Sequence, residues 1–157
     1  MTGWRIGYAA GPAVIIKAMG ILQSQSTSNP TSISQVAAEA ALNSDQSCIT
    51  PMVDAFKERH RFVVKAFNEI KGIKCIDAEG AFYSFPYAQE AINKLFNDGK
   101  LKENNDIAFS EYLLETKGVA VVPGTAFGAR NYFRISFATS LDNLKKALKR
   151  IKEAIED

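Results

Sequence analysis

Histidine occurs once in this chain, at His60, and cysteine twice, at Cys48 and Cys75. A single histidine excludes a multi-histidine metal site. Neither cysteine lies in a CxxC pair or has histidine at metal-ligand spacing, so no zinc site and no disulfide framework is written here. Both cysteines read as small buried hydrophobes of a reducing compartment. No apolar run is long enough to cross a bilayer, and no basic segment with a cleavage signature opens the chain. A cytoplasmic location is the expectation. A formal net charge of +2 is too small to argue for nucleic acid. The lysine-rich segment LDNLKKALKRIKEAIED alternates bases with acids and leucines, as the wet face of a helix does. No nucleophile–base motif, internal repeat or low-complexity tract is visible.

What remains is 157 residues, 46% hydrophobic and 23% charged, an ordinary globular composition of about one domain's length. Trp4 to Ala10 alternates, with Trp4, Ile6 and Tyr8 on one face, and predicts a strand closed by Gly11-Pro12. AVIIKAMGILQ, residues 13–23, predicts a helix. The polar stretch SQSTSNPTS follows, and Ser32 is placed to cap a second helix through about Leu42. Residues 51–71 give the clearest helix: Val53, Phe56, His60, Val63, Phe67 and Ile70 form one apolar stripe. Pro51 suits its first turn and Gly72 its stop. His60, lying in that stripe, reads as a hydrogen-bonded, partly buried side chain.

Beyond Gly72 the pattern shortens. Strands are predicted near Ile73–Ile76, Ala81–Phe85, Val119–Val122 and Tyr132–Ala138. Helices are predicted over Tyr87–Phe96, from an Asn105 or Asp106 cap to Lys117-Gly118, and from a Ser140 cap to the end. Leu141, Leu144, Leu148, Ile151 and Ile155 make the last stripe. The change near residue 72 marks a candidate boundary in a mixed α/β chain.

Two arginines interrupt apolar strand patterns: Arg5 in TGWRIGY and Arg134 in YFRISF. A guanidinium keeps its charge at any physiological pH, and burying it unpaired costs several kcal/mol. Its planar fork suits a carboxylate or a phosphate. Gly3 and Gly7 leave room beside Arg5. An internal Asp or Glu partner for each arginine is the alternative.

MTGWRIGYAAGP, SQSTSNP, EGAFY, GVAVVPGTAFG and YFRISFATS, in that order, resemble the C-terminal part of fold-type I, class I aminotransferases, and in particular subgroup I-beta of the aspartate aminotransferases. The resemblance implies an α/β fold holding the end of the large domain and most of the small domain. Residues 1–50 would then be the large-domain remnant, 51–72 the connecting helix and 73–157 the small domain. It implies pyridoxal 5′-phosphate as cofactor, with Arg5 binding its phosphate and Arg134 binding the α-carboxylate of the amino or keto acid. Phe82 matches an aromatic position lining the substrate pocket, with a core aromatic on a short strand as the alternative, and SQSTSNP matches a segment near a homodimer interface. The family's Schiff-base lysine lies upstream of the motif that starts at Met1, so no catalytic residue is assigned and the isolated chain is expected to be inactive. The implied reaction exchanges the amino group between aspartate and 2-oxoglutarate. A prephenate or aromatic amino-acid aminotransferase is one alternative, and a non-catalytic folding or interaction module another. A Trp4–Ala10 strand left without neighbours is expected to self-associate or to be poorly ordered.

Overall fold

The computed structural model describes residues 1–157, which divide into two compact units, Met1–Ile49 and Thr50–Asp157.

The first unit holds a 3-10 turn at Thr2–Trp4, helix α1 (Ala13–Ser26) and helix α2 (Ser32–Asn43). The strand predicted for Trp4–Ala10 does not form. The residue types alternate, but strand backbone needs a partner for its N–H and C=O groups, and no strand of the chain pairs with it. Trp4 N–H bonds Met1 O at 3.0 Å instead, and Arg5 turns into the left-handed region at φ 52. Helix α1 runs three residues past the predicted end and breaks at Thr27–Pro30. Thr31, not Ser32, occupies the cap position of α2, and no side-chain bond caps it. Not one hydrophobic side chain of this unit is buried. Val14 is 82% exposed and Leu22 72%. Cys48 is exposed as well, which corrects its reading as a buried hydrophobe.

The second unit carries the whole buried core. Helix α3 (Ile49–Asn68) buries Val63, Val64 and Phe67. It stops at Asn68, whose amide clasps Cys75, with Nδ2 donating to Cys75 O at 2.8 Å and Oδ1 accepting from Cys75 N–H at 2.9 Å. Gly72 then turns at φ 80, and a Cβ there would come within 2.6 Å of the Ala91 nitrogen. The chain continues through β1 (Tyr83–Ser84), α4 (Gln89–Asn97), α5 (Asp106–Lys117), β2 (Val122–Pro123), a 3-10 turn at Gly124–Phe127, β3 (Phe133–Ser136) and α6 (Leu141–Glu156). The antiparallel sheet has the order β1-β3-β2, with Tyr83 opposite Ser136 and Val122 opposite Arg134.

The strands are shorter than predicted because other partners take their backbone groups. Of the segment 73–76, only Lys74 bridges, to Tyr87. Tyr87 also bridges Tyr132, so α4 starts at Gln89 rather than Tyr87. Ala81 sits at φ 61 and breaks the run before β1. Val119 N–H bonds Leu113 O at the end of α5, outside any ladder. The caps of α5 and α6 are as predicted: Asn105 Oδ1 accepts from Ala108 N–H, Gly118 closes α5 at φ 63, and the Ser140 hydroxyl accepts from Asn143 N–H. Phe133 is the centre of the core, with its ring 5.5 Å from that of Phe67 and 5.4 Å from that of Phe109.

Candidate anion-binding site

Arg134 is the second residue of β3, the central strand. Phe133 and Ile135, its neighbours, point into the core, so the pleat turns Arg134 to the other face, where it is half-buried. The alternative of an internal acid partner is excluded. None of the chain's ion pairs involves Arg134, and no side-chain hydrogen bond to it is formed. Its guanidinium carbon lies instead 4.2 Å from the Tyr83 ring centre and 4.4 Å from that of Phe127. Such contacts stabilise a cation by about 0.5–2 kcal/mol each, according to exposure. Aromatic rings do not saturate N–H donors, so the fork is held and still free to bind an anion.

Each ring is itself braced. Tyr83 belongs to β1, and its ring lies 4.5 Å from that of Phe82, which stacks on Phe56 at 6.2 Å. Phe127 closes the 3-10 turn and meets Phe85 edge-on at 5.9 Å, while Phe85 stacks on Tyr132 at 5.1 Å. The turn is tight. A Cβ at Gly124 would lie 2.2 Å from Ala129 O, so only glycine fits.

Asp106, the first residue of α5, holds this turn. It is 1% exposed, and its carboxylate accepts from Thr125 N–H at 2.7 Å, the Thr125 hydroxyl at 2.8 Å and Asn131 N–H at 3.3 Å. Burial pushes its pKa up. The bonds from Thr125 and Asn131 outweigh that, and the carboxyl rests below its usual 3.8. Nothing in the sequence marked Asp106 as more than a helix-start residue, or Tyr83 and Phe127 as partners of Arg134. The PG pair before Thr125 announces a turn but not what the turn holds.

Arg5 lies in the first unit and is exposed. Its Nη1 donates to Thr2 O at 3.2 Å, and no acid pairs with it. A Cβ on Gly3 or Gly7 would meet nothing within 4 Å. Met1, Thr2, Arg5, Ile6 and Gly7 line an open hollow of about 570 Å³. With no acid partner and open space beside it, this guanidinium fits a phosphate group. Phe82 is half-buried among Phe56 and Tyr83. His60 is half-buried and structural, with Nε2 accepting from Ala78 N–H at 3.3 Å. The chain has no cluster of three or more His, Cys, Asp or Glu able to hold a metal ion, and no helix long and apolar enough to cross a membrane.

The chain is similar to known proteins along nearly its whole length. The family profile for aminotransferase class I and II matches residues 1–151. The aspartate/prephenate aminotransferase of Nitrosomonas europaea is 60% identical over 151 residues, which are 96% of this chain and 38% of that protein. The aspartate aminotransferase of Rhizobium meliloti is 50% identical over 154 residues, 98% of this chain and 37% of that one. Among solved structures, the aspartate aminotransferase from Rhizobium meliloti superposes with a TM-score of 0.75 at 46% identity, covering 99% of this chain and 39% of that one. The aromatic aminotransferase from Pyrococcus horikoshii does so at 0.76 and 34%, covering 99% and 40%. The chain thus spans well under half the length of the relatives it matches.

Proposed function

The chain belongs to the class I and II aminotransferase family, and from that premise we propose that it is the C-terminal part of a pyridoxal 5′-phosphate-dependent enzyme transferring the amino group between aspartate and 2-oxoglutarate. The observation that carries this reading is Arg134: a half-buried guanidinium, braced by Tyr83 and Phe127, with no acid of its own. An α-amino or α-keto acid brings the missing carboxylate. Two charge-assisted bonds to a fork fix both the position and the rotation of the substrate.

Arg5 would hold the cofactor phosphate. The cofactor, when bound, supplies the electron sink that acidifies the substrate α-C–H. The contribution of this chain is binding and orientation: Arg134 holds the α-carboxylate, and the wall of Tyr83, Phe82 and Phe127 lines the approach. No lysine of this chain is assigned the role of holding the cofactor, and the isolated 157-residue chain is proposed to be inactive. The working enzyme is proposed to be a homodimer, with residues 24–30 near the subunit interface.

The prephenate alternative has its own support, since the Nitrosomonas relative is named for both substrates. Turnover of aspartate, prephenate and phenylalanine by the full-length protein separates the readings. Rapid aspartate turnover with 2-oxoglutarate supports the first. Activity on phenylalanine alone overturns it.

A further inference from the structure

We propose that Asp106 is a positioning residue for carboxylate recognition: from beneath the Gly124–Asn131 turn it sets the Phe127 ring, and through that ring the Arg134 guanidinium. The proposal rests on the reading of Arg134 as the substrate-carboxylate arginine.

Asp106 is the only buried charged side chain of the chain, so its place there requires compensation. Most of the compensation comes from the turn, and the backbone N–H of Asp106 itself adds to it. Its bonds reach Thr125 near the start and Asn131 near the end, six residues apart in sequence and tied to one carboxylate. Between them the backbone is closed by Gly128 N–H to Thr125 O at 3.1 Å and Ala129 N–H to Gly124 O at 3.0 Å. Asn131 itself sits at φ 66, a conformation that its bond to Asp106 helps to hold. Phe127 is thus the apex of a loop pinned at both feet. Its ring meets the edge of Phe85 and the Arg134 guanidinium. A shift of that ring re-aims the fork, and carboxylate binding depends on the aim of the fork.

Asp106 is buried beneath the turn and acts through it, so its signature is in binding. In the full-length protein, Asp106→Asn presents an amide N–H₂ to the turn's donors. Thr125→Val removes one hydroxyl donor at constant shape. The measurements are KM and kcat for aspartate, and protection of Arg134 from phenylglyoxal by succinate, read peptide by peptide by mass spectrometry. Arg134→Lys is the reference for KM. Asp106→Asn is expected to raise KM and the half-protecting succinate concentration about tenfold, and Thr125→Val about threefold, with kcat within about twofold. A lower melting temperature or lower kcat with KM and protection unchanged in both variants overturns the proposal. If Asp106→Asn does not fold, Thr125→Val decides alone. If Arg134→Lys leaves KM unchanged, the reading of Arg134 falls, and the positioning role with it. If Arg134→Lys raises KM while Asp106→Asn and Thr125→Val do not, only the positioning role falls.

Discussion

The Arg134 guanidinium carbon lies 4.2 Å from the centre of the Tyr83 ring, across the β1–β3 pairing that sets Tyr83 opposite Ser136. The sheet register therefore builds the contact. Tyr83→Leu removes the ring and keeps most of the apolar bulk. A double-mutant cycle of Tyr83→Leu and Arg134→Met, read by urea unfolding of the chain, is expected to give a coupling of about 0.5–1 kcal/mol. A coupling of zero would show that the contact holds nothing.

Asp106 links stability to acid. Its carboxyl titrates below 3.8 when folded, held there by Thr125 and Asn131 against the effect of burial. A lowered folded pKa stabilises the native state fully above the unfolded value, and the gain is lost as pH falls through the folded value. The stability gap between the wild-type chain and Asp106→Asn is therefore expected to be widest near neutrality and to narrow below about pH 4. A gap that is constant down to the acid transition would contradict this.

The two cysteines should separate cleanly. Cys75 is 6% exposed, and its thiol is pushed up to about 11. Burial is the largest cause, the Ser84 hydroxyl works the other way, and the Asp77 charge adds to the rise. Cys48 is exposed. A disulfide reagent at about pH 8 is expected to modify Cys48 at once and Cys75 only on unfolding. Prompt modification of both in the folded chain would place Cys75 nearer the surface than its burial allows.

The absence of any buried hydrophobic side chain in Met1–Ile49 predicts a gradient of local stability. Brief proteolysis of the chain is expected to cut residues 1–49 first and to leave a product starting near residue 50 with a cooperative melt. Uniform cutting along the chain would refute this.

Much of the second unit was legible because its signals are local. The stripe through Leu144, Leu148, Ile151 and Ile155, the Ser140 and Asn105 caps and the Gly118 stop lie within one helix each. The strand at Trp4–Ala10 was over-read because alternation encodes which face a side chain takes, not whether a partner strand is present. The same limit shortened the predicted strands near 73–76 and 119–122, where Tyr87 and Leu113 compete for the backbone. Arg134 stood out as a charge in an apolar strand. The lack of an acid beside it depends on packing between β1, β3 and the turn at Gly124–Phe127, which no local pattern carries. Asp106 was hidden because an acid at a helix start has an ordinary use.

The most direct test of the central claim is the KM for aspartate of Arg134→Ala in the full-length protein, compared with wild type at saturating 2-oxoglutarate. Loss of charge-assisted bonds worth about 1.5–3 kcal/mol predicts a rise of roughly ten- to a hundredfold. An unchanged KM would mean that Arg134 does not hold the substrate carboxylate.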